Sequence, residues 1–119
     1  IYHRRMGAAR SPMSLDITLA AVRPTVVFDG NITHDLNEMA RSAGIYDALW
    51  YPERIGATLA GHLVGWLRSG LDDLKASPDR FMPHSPKNGH GTYDVLVKFV
   101  EGYLAACEAN PDATIEVSR

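Results

Sequence analysis

The sequence predicts an α+β domain, with a small antiparallel or mixed sheet of about three short strands packed against three main helices. Three observations lead there. Near the start, Leu15, Ile17, Leu19 and Ala21 alternate with Asp16, Thr18 and Ala20, the period of two that marks a half-buried strand. Through the middle, apolar residues recur at helical spacing in three separate stretches. At the end, Ile115 and Val117 alternate with Thr114, Glu116 and Ser118. Strands at both ends with helices between them imply a sheet whose pairing brings the ends of the chain together.

Residues 1–12 (IYHRRMGAARSP) follow no helical or strand period and read as an extension or upstream sequence ahead of one domain, 13–119, with Met13 an alternative start. After the first strand, Arg23-Pro24 breaks the pattern, because proline has no N–H for a ladder, and Thr25 to Phe28 forms a second β-rich run. Thr33 then caps a first helix carrying Leu36, Met39, Ala40 and Ala43, with Gly44 just past its end. Ile45 to Trp50 is a short helical turn; Pro52 and Glu53 open another, which Gly56 ends. Thr58 is the expected cap of the second main helix, which runs to about Ala76 with Leu59, Leu63, Trp66, Leu67, Leu71 and Leu74 on one face. Gly61, Gly65 and Gly70 inside it each cost about 1 kcal/mol relative to alanine, a cost that close packing of another backbone would offset. Ser77-Pro78 stops this helix, and Asp79 to Gly91 is the longest irregular stretch. Thr92 caps the third main helix, striped by Leu96, Phe99, Val100, Tyr103, Leu104 and Cys107, and Asn110-Pro111-Asp112 turns into the last strand.

Composition narrows the function classes. With 119 residues, 45% hydrophobic and 22% charged, the chain matches a small globular domain and not a disordered one. A net charge of -2 supplies no basic surface for nucleic acid. The single cysteine, Cys107, closes no intrachain disulfide, and on an apolar helical stripe it reads as a buried small hydrophobe. No apolar window is long enough to span a membrane and no secretory core opens the chain, so the expectation is a cytoplasmic protein with no membrane partner.

Several separated segments, Met13-Ser-Leu-Asp-Ile-Thr-Leu19, Asn31-Ile-Thr-His34, Met39-Ala40, Ala43-Gly-Ile-Tyr46, Leu49-Trp-Tyr-Pro-Glu53, Asn88-Gly-His-Gly-Thr-Tyr93 and Val117-Ser-Arg119, stand in a characteristic order. Together they resemble a widespread group of small proteins encoded by bacteriophages and prophages, over roughly Met13 to Arg119. The resemblance implies a phage context and the cytoplasm of the infected bacterial host as the location; it implies no biochemical activity. Asp35, Tyr51 and His90 depart from the group's pattern, where asparagine, arginine and tryptophan are usual, so no shared ligand is implied.

Two constellations carry polar chemistry. Asn31, Thr33, His34 and Asp35 lie at a strand-to-helix junction, where exposed N–H groups attract an anion, or where the same side chains serve as turn and cap. Asn88, His90 and Thr92 lie in a glycine-bracketed loop opening the last helix, which is neither a Walker motif nor a Rossmann fingerprint. Tyr46, Trp50 and Tyr51 form either a stacking platform or part of the core. Five histidines at irregular spacing, without paired cysteines or HExxH, give no metal site, and no cofactor is expected.

The expected function is binding rather than catalysis, by a phage accessory protein that engages a host protein through an aromatic and apolar patch. The alternative is a small anionic, nucleotide-like ligand held where the helix starts at Thr33 and Thr92 converge, contacted by Asn31, His34, Asn88 and His90 and stacked on Tyr46 or Trp50. A third class is a nucleotide-directed hydrolase or transferase with His34 or His90 as general base and Asp35 orienting it. Both a monomer and a homodimer through the glycine-bearing face of the 59–76 helix agree with the sequence.

Overall fold

The β-branched and leucine-rich alternation from Ser14 places that segment in the middle of a three-stranded antiparallel sheet. β1 (Ser14–Ala20) lies between β2 (Val26–Thr33) and β3 (Thr114–Ser118), in the order β2-β1-β3. The computed structural model describes residues 14–20, 26–84 and 92–119; the 1–12 extension, Ala21, Thr25, Asn88 and His90 lie outside them. The register sets Ile17 opposite Gly30 and Val117, and Asp16 opposite Asn31 and Ser118.

Two strand expectations change. β1 is buried on both faces: Leu15, Ile17 and Leu19 form the core face, and Ser14, Asp16 and Thr18 on the other are only 8%, 9% and 7% exposed. Alternation along one strand does not reveal burial of its second face. The Asp16 carboxylate there accepts a hydrogen bond from the Asn31 amide. β2 also continues beyond Phe28 to Thr33, through Asp29-Gly30-Asn31, residues of poor β propensity that pairing with Thr18, Ile17 and Asp16 overrides.

Of the three expected main helices, two are long and one is short. A 3-10 turn, His34–Leu36, leads into α1 (Asn37–Ser42) of only 6 residues. Gly44, at φ 78°, ends it: its N–H donates to the Arg41 carbonyl and that of Ile45 to the Ala40 carbonyl, each at 3.0 Å. α2 (Tyr46–Trp50) and a 3-10 turn, Pro52–Ile55, follow as the sequence implies, closed by Gly56 in the left-handed region. Thr58 is not the cap of the next helix. The chain enters through a 3-10 turn, Ala60–Leu63, and His62 Nδ1 accepts the N–H groups of Thr58 and Leu59, both at 3.2 Å. α3 (Val64–Ala76) then runs to Ser77, and Pro78 opens α4 (Pro78–Phe81), so part of the stretch read as irregular is helical. α5 (Tyr93–Ala109) is capped by Thr92, whose Oγ1 accepts the Val95 N–H at 3.3 Å.

α3 and α5 lie antiparallel. Arg68 pairs with Glu108, Lys75 with Glu101 at 2.6 Å, and the Tyr93 hydroxyl donates to the Leu74 carbonyl at 2.5 Å. Leu63, Leu67, Leu71 and Leu74 face Leu96, Val100, Tyr103 and Cys107 across a core shared with β1. Trp66 does not join its expected stripe: it falls on the flank and is 46% exposed. Two of the three glycines pack closely. Gly61 lies against Pro111 and donates its N–H to the Pro111 carbonyl at 2.9 Å, and Gly70 lies under Ile45 and the Ala43 carbonyl. That internal packing takes Gly61 and Gly70 away from a dimer face; only Gly65 looks into open space.

Tyr103 is fully buried, stacked on Phe28 at 5.1 Å, and among the described buried side chains its hydroxyl is left without a hydrogen-bond partner. Burial pushes its phenol well above the ordinary tyrosine range. Tyr103→Phe removes the stranded dipole and keeps the ring, so a gain of about 1 kcal/mol is expected, read as a melting temperature raised by roughly 4 °C. An unchanged or lower melting temperature would mean that the hydroxyl is satisfied. Burial likewise pushes the Cys107 thiol up to about 12, which makes it a core group and no nucleophile near neutral pH.

Candidate interaction site

Of the residues singled out by sequence, those at the first junction act mainly as structure. Asn31 lies inside β2, not in a turn, and its amide donates to Ser14 Oγ at 3.0 Å as well as to Asp16. Thr33 Oγ1 accepts the Asp35 N–H at 3.3 Å, a capping contact on a single 3-10 turn, with Asp35 in that first turn. His34 Nδ1 accepts the indole N–H of Trp50 at 2.8 Å. This bond leaves the neutral ring with its proton on Nε2, so the nitrogen facing Trp50 is committed and offers no base. Trp50 is 2% exposed, which removes it from any stacking platform.

The junction at Thr33 and the start of α5 at Thr92 are anchored to different elements. His34 is held by Trp50 of α2, whereas Tyr93 beside Thr92 bonds to the end of α3. Asn88 and His90, the remaining members of the expected ligand pocket, fall outside the described residues.

What the structure does bring together is a file of rings and guanidiniums from α1, α2 and the turn after it. Tyr46 stacks on Trp50 at 5.2 Å with 15° between the planes, and Tyr51 is tilted against Tyr46 at 5.9 Å. Arg41 lies 4.1 Å over the Tyr46 ring, and Arg54 lies 3.8 Å over Tyr51. Arg119 also covers Tyr51, at 4.3 Å, while donating to the Trp50 carbonyl at 2.7 Å and pairing with Glu53 at 3.2 Å. The residues around His34, Tyr46–Glu53 and Arg119 thus meet at one end of the sheet. Each exposed guanidinium–ring contact is worth about 0.5–1 kcal/mol, which biases where the arginines point.

Beside this file opens a cleft of about 360 Å³ lined by Arg41, Gly44, Tyr46, Asp47, Arg54 and Trp66. Among the described residues, Tyr46 is the one expected ligand residue that lines it. Arg41, Arg54 and Trp66 were missed by sequence reasoning: Trp66 had been placed on the buried stripe, and the arginines carry no local motif. A second hollow of about 350 Å³ lies between Pro52–Thr58 and the outer edge of β3, where Glu53 and Arg119 neutralise each other. Among the described residues no three histidines, cysteines or carboxylates gather to hold a metal, and no helix is long and apolar enough to cross a membrane. No family model, curated protein or solved structure matches the chain.

Proposed function

We propose that this protein acts by binding, as an interaction module of phage origin that engages a host protein through the Trp66 cleft. The observation that carries the reading is the exposed indole of Trp66 in a concave wall with Tyr46, Arg41 and Arg54. Tryptophan, tyrosine and arginine are the residues most enriched at the energetic centres of protein interfaces, because each combines large contact area with a directed polar group. A tryptophan 46% exposed adds little to folding and is available to a partner. The nucleotide-like alternative draws less support: Trp50 is buried, and the helix that starts near Thr33 has 6 residues and already holds Asp35 and Glu38 at its beginning.

The test is capture from lysate of the bacterial host. Tagged protein is expected to retain one partner in stoichiometric amount, and Trp66→Ala is expected to lose it while melting within about 1 °C of the parent. Arg68→Ala, on the α5 side of the same helix, is expected to keep it. A partner held equally by Trp66→Ala would overturn the proposal.

A further inference from the structure

Along the outer edge of β3, away from the Trp66 cleft, the chain begins a further strand and abandons it after one rung. Leu59 bridges antiparallel to Thr114, and the Ala60 N–H donates to the Ala113 carbonyl at 2.8 Å. Ahead of Leu59, Thr58 and Ala57 diverge from β3 instead of continuing this ladder, and with Pro52 they wall the hollow of about 350 Å³. Backbone groups of alternate strand residues point to the same side. Because the Ala113 carbonyl faces outward, those of Ile115 and Val117 face outward too, while Thr114, Glu116 and Ser118 serve the ladder with β1. Apart from the bridge at Thr114, no described segment pairs with this edge.

The side chains alternate in a way that narrows the occupant. Ile115 and Val117, half-buried, lie on the core face with Leu19 and Ile17, and together with Pro52 and Ala57 they give the hollow an aliphatic lining. Glu116 points to the opposite face, across from Thr18, and pairs with no cation among the described residues. An added strand would satisfy the outward main-chain groups, place the side chains opposite Ile115 and Val117 in the aliphatic slot, and set the residue between them beside Glu116. A second copy of β3 fits poorly. The antiparallel register that uses Ile115 and Val117 of both copies sets Glu116 against Glu116, so this residue guards the edge against its own kind. We propose that the outer edge of β3 takes an extended segment of a partner protein, running antiparallel, in which a lysine or arginine stands between two β-branched aliphatic residues.

The experiment titrates the isotopically labelled full chain with three blocked peptides: Ser-Val-Lys-Val-Ser, the same peptide with glutamate for lysine, and the lysine peptide methylated on both valine nitrogens. The lysine peptide is expected to shift the Val117 amide resonance saturably and to leave the Trp66 indole resonance in place. Methylation removes the two donors that face β3, so no saturable shift is expected from that peptide. The glutamate peptide is expected to bind about fivefold more weakly, and Glu116→Lys to reverse the order of the two. Trp66→Ala is expected to leave the titration as it was, since the two hollows share no lining residue. No shift at Val117, undiminished binding of the methylated peptide, or equal binding of the lysine and glutamate peptides overturns the inference. A Val117 shift that grows with protein concentration alone makes a second copy the occupant and overturns it as well.

Discussion

Gly70→Ala is expected to destabilise the protein by roughly 2–3 kcal/mol, opposite in sign to the usual effect of replacing a helical glycine by alanine. A methyl at this position would overlap Ile45 Cγ2 and press on the Ala43 carbonyl at 3.3 Å. Neither can retreat cheaply. Ile45 is fully buried and stiff at its branched carbon, and the Ala43 carbonyl belongs to the turn fixed by the two backbone bonds around Gly44. Gly65→Ala, five residues earlier in the same helix, meets no atom within 4 Å and is expected to stabilise by about 0.5–1 kcal/mol. The pair is read by thermal or urea unfolding of the two variants side by side. Two stabilising substitutions would show that the loop at Ala43–Ile45 does not sit on α3 as described, and the cleft between Gly44 and Trp66 would then lack its wall.

His34→Ala is expected to cost about 1–3 kcal/mol, the penalty of leaving a buried donor without an acceptor. The indole N–H of Trp50 points at His34 Nδ1, and Trp50 itself is nearly inaccessible to the water that would otherwise replace it. Trp50→Phe removes the donor, so His34→Ala made on that background is expected to cost about 1 kcal/mol less than on the parent. Additive losses in this cycle would mean the two residues do not share a bond. Loss of stability without loss of partner capture would separate His34 from the Trp66 cleft and place it among the residues that build the end of the sheet.

The parts of the fold that announced themselves in the sequence are those written in local periods and local caps. β3 alternates, α5 carries an unbroken stripe from Leu96 to Cys107 with Thr92 ahead of it, and Gly44 and Gly56 stand where the chain must turn left-handed. The expectation that close packing offsets helical glycines was met at Gly61 and Gly70 and not at Gly65, because which glycine faces a neighbour depends on tertiary placement. β2 was read short for the same kind of reason. Asp29-Gly30-Asn31 disfavours a strand locally, and only β1 alongside makes it one.

The cleft was least legible. Arg41, Arg54 and Trp66 belong to three different elements, and each is unremarkable where it stands; their meeting depends on the α1–α2 turn and on the way α3 packs beneath it. Helical spacing sets Trp66 on the face of Leu63 and Leu67, three residues after the one and one before the other. The flank of a stripe, however, is where a large ring emerges into solvent. Trp50 was open to both readings, and its burial agrees with the core one; nothing local distinguishes an indole that stacks on a ligand from one that stacks on Tyr46.

Native mass spectrometry of the protein drawn undenatured from host cells tests the proposal that the Trp66 cleft receives a protein and not a nucleotide. The expected spectrum contains the chain together with one host protein in fixed ratio, and that complex is absent from the Trp66→Ala preparation. A bare chain carrying a small adduct of nucleotide mass, kept by Trp66→Ala and lost by His34→Ala, would contradict it and return the function to the junction at Thr33.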